Sequence, residues 1–381
     1  MIARSIGFLF VLLLAATAAH AQDMIGQWQG ALHISDRDYR IMLRVEKNGD
    51  DLGATVYSLD ESKTGYAGTL KKNDDAVSFS TREMRVPATF EGKLSKDGNT
   101  LTGSYTQGDA YPLVLQRATP QTAWVMDTSA HRVQFVTVDR DVRLEVLDWG
   151  GTGAPLVFLA GLGADAHTFD ELAPKLTTHH HVYAITRRGY GASSAPDPDR
   201  ADYSAKRRGD DVVAVIDFLK LRRPVLAGHS IAGSELSAIA NNHADKIAGA
   251  IYLDAGANYA FFSPGISEPL VAPAMSSEAK QDRIDHAIMA GLQEFRAIPV
   301  PVLAIFAIEP KLPENLTAAQ KKQIDDQIAR GNAQIGAFER GASSARVVRL
   351  PGAEHRLWQS DEARVIHEMD AFMDEQQRAA R

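Results

Sequence analysis

The 381-residue chain contains no cysteine. That absence excludes disulfide staples and thiolate chemistry, and it excludes a lipid-modified cysteine at the end of an export signal. Charge of one sign is also missing. Lys and Arg number 41 against 48 Asp and Glu, a net charge of −7. The basic residues come in scattered pairs, Arg187-Arg188, Arg207-Arg208 and Arg222-Arg223. Such pairs read as solvated surface rather than as a phosphate-binding patch, so no nucleic-acid partner is expected. No stretch, the shorter N-terminal apolar run included, has the roughly 20 apolar residues that a bilayer span needs.

What is present is the composition of an ordinary globular protein, 45% hydrophobic and 23% charged, long enough for two domains. At the N-terminus, Met1 to Arg4 carries positive charge, "IGFLFVLLLAATAA" is apolar, and Ala19-His20-Ala21 precedes Gln22. A basic start, a short apolar core and an A-x-A site read as a bacterial-type secretory signal over 1–21, and hence a periplasmic or secreted protein. No membrane span is expected once it is cleaved.

Residues 22–117 read as β structure. Short segments rich in β-branched and aromatic residues, such as "YRIMLRVE" and "TLTGSYTQ", alternate with turn chemistry at Asn48-Gly49-Asp50, Asn73-Asp74-Asp75 and Asp97-Gly98-Asn99. In one of them Ile41, Leu43 and Val45 face one way. This pattern predicts a meander closing into a small barrel or sandwich. With Gly26-Gln27-Trp28 near its start, the segment resembles lipocalin-like β domains that precede some exported bacterial hydrolases. Residues 118–130 lack a period and carry a proline, and read as a linker.

From 131 to 381 the pattern changes. After a strand pair around Asp139-Arg140-Asp141 come continuous apolar runs of strand length, "PLVFLA", "HVYAIT", "PVLAGH", "GAIYLD", "PVLAIFA" and "ARVVRL", separated by helix-like stretches. Alternation of this kind predicts an α/β fold, a doubly wound and mostly parallel sheet covered on both faces. The long crossover at 256–299, opened by Tyr259, Phe261 and Phe262, reads as a short cap, its aromatics either lining an apolar pocket or filling core.

Within that domain, Gly228-His229-Ser230-Ile231-Ala232 joins a buried strand to a small-residue helix. A serine on a sharp strand-to-helix turn lifts its hydroxyl clear of the backbone, and the strained turn requires small residues two before and two after it. Ser230 is the expected nucleophile. A serine needs a base. His33 falls in the β domain, His179-His180-His181 read as a polar surface turn, His229 holds the variable place in the turn, and His367 lies in a helix. His355, in "LPGAEHRLWQ" between the last strand and the last helix, is the expected base. The expected oxyanion donors are the backbone N–H groups of Leu162, in the turn Gly161-Leu162-Gly163, and of Ile231. The expected triad acid is Asp254, which ends "GAIYLD", with Glu309, which follows "PVLAIFAI", as the alternative.

Four segments in order, "LAGLGADAHTF", "RRGYGASSAP", "GHSIAG" and "PGAEH", resemble the α/β-hydrolase superfamily over about two-thirds of the chain. The resemblance implies a serine hydrolase acting on a small-molecule ester, with no metal or organic cofactor. A serine at position 230 sets the chain apart from epoxide hydrolases and haloalkane dehalogenases, whose nucleophile is an aspartate. An amidase, a peptidase, a C–C hydrolase and a non-catalytic binding protein remain as alternatives. Oligomeric state is not legible.

Overall fold

In the computed structural model, residues 24–379 are described, apart from 35–36, 50, 60–64, 85, 120–121, 125–128, 256–258, 269, 273, 276–278, 313–315 and 343. The signal expected over 1–21 lies outside the described residues. The chain divides into two compact units, with the boundary between Met126 and Asp127.

The first unit is an eight-stranded antiparallel barrel. Strands β1 (Gly26–Ile34), β2 (Arg37–Asn48), β3 (Asp51–Ser58), β4 (Tyr66–Asn73), β5 (Ala76–Thr81), β6 (Ala88–Leu94), β7 (Thr100–Gln107) and β8 (Asp109–Arg117) each pair with the next. β1 returns to β8, with Trp28 opposite Arg117, and no sheet edge is left open. The two-residue periodicity sends Ile41, Leu43 and Val45 inward to pack with Trp28, Phe79, Phe90 and Leu115. The Trp28 indole N–H donates to the Met24 carbonyl at 2.9 Å. The Arg117 guanidinium lies over the Trp28 ring, 4.3 Å from its centroid. Part of the stretch read as a linker is held by this unit: Gln29 donates to the Thr122 carbonyl at 2.7 Å and accepts from the Trp124 N–H at 2.9 Å.

The second unit is built on a sheet in the order β16-β15-β14-β13-β11-β12-β10-β9. β9 (Arg132–Asp139) and β10 (Val142–Gly150) form an antiparallel hairpin, and β10 is also antiparallel to β12 (His181–Ile185). β11 (Pro155–Leu159), β12, β13 (Val225–His229), β14 (Gly249–Leu253), β15 (Val302–Ile308) and β16 (Ala345–Pro351) are mutually parallel. Five longer helices are α1 (Ala205–Phe218), α2 (Ala232–Asn242), α3 (Lys280–Ala290), α4 (Ala318–Gly341) and α5 (Glu362–Ala379).

Successive residues of the central strands enter opposite cores. Leu226, Ala250, Tyr252, Val302 and Ala304 pack in one layer. Val225, Ala227, Ile251, Leu253 and Leu303 pack in the other. This explains why these strands are apolar throughout rather than alternating. Each Leu or Ile so buried contributes about 1.5–3 kcal/mol. Because β11, β13, β14, β15 and β16 run parallel, their C-terminal ends share one edge, where Gly161, Ser230, Asp254, Glu309 and the loop holding His355 emerge.

Within 256–299 the described helix is α3, and the leading aromatics divide between two roles. Phe261 belongs to the sheet core, against Phe338. Tyr259 instead packs in a separate cluster with Leu162, Tyr190, Ile231 and Ile284. No helix among the described residues is long and apolar enough to cross a membrane.

Two readings are corrected. His180 and His181 are not a surface turn: His180 is buried with Nε2 2.8 Å from Asp370 Oδ1, and His181 opens β12 with Nε2 2.8 Å from Asp148 Oδ1. The arginine pairs are not all solvated either. Arg187, Arg188 and Arg208 are buried, each against a carboxylate that local sequence does not reveal. Burial of such a charge is tolerated because it is paired and hydrogen-bonded.

Candidate active site

Ser230 follows the wholly buried strand β13 and precedes α2. Its φ is 54°, in the left-handed region that a β-carbon disfavours by roughly 1–2 kcal/mol. The turn is fixed from both sides: the Ser230 N–H donates to the Leu253 carbonyl at 3.3 Å, and the Ser230 carbonyl accepts from the Gly233 N–H at 3.0 Å. Gly233 is required by contact, since a β-carbon there would lie 2.0 Å from the Ala255 carbonyl oxygen.

β13, β14 and β15 each lead into a residue of left-handed backbone, Ser230 (φ 54°), Asp254 (φ 47°) and Glu309 (φ 51°). The two candidate acids therefore share a backbone geometry, and their side chains separate them. Asp254 Oδ2 lies 2.6 Å from His355 Nδ1, and its Oδ1 accepts from the Ala307 N–H at 3.1 Å. Glu309 is exposed, and its backbone carbonyl accepts from the Gly352 N–H at 3.1 Å, at the start of the histidine loop.

His355 itself is open to solvent, with 58% of its side chain exposed. Its backbone is anchored by a residue that the sequence pattern passed over. His229, 4% exposed, has Nε2 3.0 Å from the His355 carbonyl oxygen. Burial, followed by the neighbouring charges of His355 and Arg356, holds the His229 pKa well below the usual histidine range. The ring is thus neutral, and it must carry its proton on Nε2 to donate to that carbonyl. Its Nδ1 faces the turn that follows β11. A β-carbon on Gly161 would come within 2.8 Å of it and within 3.4 Å of Ser230 Cβ. His229 was hard to find because its neighbours in sequence say nothing of a partner 126 residues away.

Leu162 and Ile231 come together in one apolar cluster with Tyr190, Tyr259 and Ile284. Gly161-Leu162-Gly163 leaves the end of β11 beside Ser230, and Ile231 starts the helix behind it. Helix N-termini of this kind present unpaired N–H groups and partial positive charge. Among the described residues, no group of three or more His, Asp or Glu side chains is arranged to hold a metal ion.

This fold and strand-end constellation define a hydrolase scaffold, and comparison with known proteins gives the family. The sequence profile of the alpha/beta hydrolase family matches residues 156–371, more than half of the chain, and the protein belongs to that family. A fluoroacetate dehalogenase of a Burkholderia species is 32% identical over 115 residues, 30% of this chain and 38% of the relative. Epoxide hydrolase A of Mycobacterium tuberculosis is 36% identical over 109 residues, 28% of this chain and 34% of the relative. The 2-(acetamidomethylene)succinate hydrolase of Mesorhizobium japonicum is 23% identical over 163 residues, 43% of this chain and 51% of the relative. The chain therefore spans between a third and a half of the length of these relatives.

Proposed function

We propose that the protein is an exported serine hydrolase that cleaves a carboxylic ester through an acyl-enzyme on Ser230. The observation that supports this reading is a histidine whose Nδ1 is 2.6 Å from a carboxylate, on a loop at the same sheet edge as a serine on a left-handed strand-to-helix turn. Ser230 Oγ attacks the ester carbonyl while His355 Nε2 takes the hydroxyl proton. Asp254 accepts from His355 Nδ1–H, which fixes the tautomer and stabilises the imidazolium. The Leu162 and Ile231 N–H groups donate to the carbonyl oxygen as it becomes negative. Collapse of the tetrahedral species releases the alcohol, which takes the proton from His355. Water, deprotonated by the same imidazole, then attacks the acyl-enzyme and frees the acid and Ser230. None of these steps calls for a metal or an organic cofactor.

Export is supported by the basic and apolar N-terminal stretch ending in Ala19-His20-Ala21. The test of the mechanism is Ser230→Ala. Turnover of p-nitrophenyl acetate and labelling by a fluorophosphonate should both vanish, a loss of about 10⁴-fold or more in kcat, with the circular dichroism spectrum unchanged. Near-parental turnover in the folded variant sinks the proposal.

Hydrolysis of an amide or a C–C bond on the same three residues is the second reading. It draws support from the likeness to a hydrolase of 2-(acetamidomethylene)succinate. A matched panel of esters and amides separates the two, because an ester hydrolase leaves the amides almost untouched.

A further inference from the structure

We infer that Arg187, at the C-terminal end of β12, is a positioning residue that orients the oxyanion-binding peptide. The inference rests on the serine-hydrolase reading above and adds a residue to it.

Arg187 is 7% exposed and faces the turn after β11. Its Nη1 donates to the Gly161 carbonyl at 2.7 Å, and its Nη2 donates to the Ala160 carbonyl. The chain contains no cis peptide among its described residues. In a trans peptide the C=O and the N–H point in opposite directions. An arginine that holds the Gly161 carbonyl therefore directs the Leu162 N–H away from itself. A β-carbon on Gly161 would lie 3.4 Å from Ser230 Cβ, so the turn packs beside the serine, and by this inference the N–H opens toward it. Two adjacent carbonyls on one planar guanidinium leave the turn little freedom to rotate. A lysine offers one ammonium with no such fork.

The other end of Arg187 fixes this turn to the helix of the second donor. Arg187 Nε donates to Glu235 Oε1 at 2.8 Å, and Glu235 is a wholly buried residue of α2. The same oxygen accepts from Arg208 Nη1 at 2.9 Å. Arg208 Nη2 donates to Ser234 Oγ at 3.1 Å, and Ser234 Oγ donates to the Ile231 carbonyl at 2.9 Å. A continuous chain of hydrogen bonds thus runs from the peptide carrying the Leu162 N–H to the first turn of α2, where the Ile231 N–H emerges. Two donors that must converge on one oxygen are held in register by buried charge as well as by the apolar cluster they share. The Tyr190 phenol extends the frame: it donates to Asp285 of α3 at 2.5 Å, and the Gly163 N–H faces its oxygen.

The inference is tested with Arg187→Met and Arg187→Lys, using p-nitrophenyl acetate as substrate and phenylboronic acid as a tetrahedral mimic that forms an adduct on the serine. Arg187→Met should lower kcat about 10- to 100-fold, less than outright loss of an oxyanion donor, with KM nearly unchanged. Its affinity for phenylboronic acid should fall in proportion to kcat/KM. Arg187→Lys should sit between the parent and Arg187→Met. If the melting temperature falls while kcat and boronate affinity per folded molecule stay at parental values, Arg187 is merely structural and the inference is overturned. Should Arg187→Met not fold, the lysine variant decides alone: full kcat and full boronate affinity overturn the inference. Ser230→Ala run alongside separates the two levels. Persistent turnover there removes the serine reading itself, whereas a dead Ser230→Ala beside fully active Arg187 variants removes the Arg187 role alone.

Discussion

Asp254 Oδ2 lies 2.6 Å from His355 Nδ1, across 101 residues of sequence, while Glu309, one strand further along the same edge, stays exposed. A carboxylate this close fixes the orientation of the ring. Its second oxygen is occupied by the Ala307 N–H, so the carboxylate is held and does not swing. An amide isostere keeps this shape and removes the charge. Asp254→Asn should therefore lose orders of magnitude in kcat, up to about 10⁴-fold, and Glu309→Gln should remain near the parent. Steady-state kinetics on one soluble ester give the ranking, and the reverse order assigns the acid to Glu309.

Gly233 has no room for a side chain. A β-carbon there meets the Ala255 carbonyl oxygen at 2.0 Å and the Ala260 β-carbon at 3.2 Å, and the backbone carbonyl cannot easily give way. Gly233→Ala should destabilise the folded protein by about 1–3 kcal/mol, as overpacking does. It should also depress activity, because Ser230 and Gly233 share a hydrogen bond. Equilibrium urea unfolding checks the first, and unchanged stability would mean that the turn relaxes.

Much of this arrangement was legible because its signals are local. The strand, small-residue turn and helix around Ser230 occupy consecutive residues, and a histidine between the last strand and last helix falls at the sheet edge by topology. The sequence favoured Asp254 over Glu309 only narrowly, since both follow a strand and both adopt left-handed backbone. Only the side-chain partner differs. Arg187 and His180 misled for another reason. A charged or polar residue is read as exposed unless its partner is visible, and these partners lie 48 and 190 residues away. The barrel was legible from alternation and turn residues, whereas the docking of Thr122 and Trp124 on it depends on two glutamines in β1.

That docking sets where the units should be cut. A hydrolase-unit variant starting at Asp127 should fold and retain the parental kcat/KM on p-nitrophenyl acetate, because each unit has its own core. A variant starting at Ala118 carries Trp124 without Gln27 and Gln29, and should be less soluble. Expression and kinetics of both decide it. Loss of folding in the Asp127 variant would mean that the units depend on each other.

The proposed export makes an expectation that does not involve the candidate active site. N-terminal sequencing of protein recovered from outside the cytoplasm should begin at Gln22, directly after Ala19-His20-Ala21. A membrane-bound form that keeps Met1 refutes it.

His229 predicts a pH dependence of stability whose sign follows from its burial. In the folded protein, burial foremost, and then the charges of His355, Arg356 and Arg187, hold its pKa well below the ordinary value of about 6.5. Below that ordinary value the unfolded chain takes up a proton that the folded chain refuses. Folded-state stability therefore falls as pH drops below about 6.5, by at most about 1.4 kcal/mol per pH unit for this one group. His167 works in the opposite sense. Burial alone would lower its pKa, but the Asp170 hydrogen bond and the charges of Asp165, Asp170 and Glu145 leave it raised. Its contribution is present at low pH and is lost as pH rises through its folded pKa. The net slope mixes the two, so the comparison must be with a variant. His229→Asn should be less stable than the parent at pH 7.5, having lost its bond to the His355 carbonyl, yet its stability should decline less steeply from pH 7 to pH 5.5. Urea unfolding at several pH values in that window measures both slopes. Equal slopes would mean that His229 is protonated in the folded protein, and a protonated ring beside His355 would be incompatible with its role as the neutral anchor of the histidine loop.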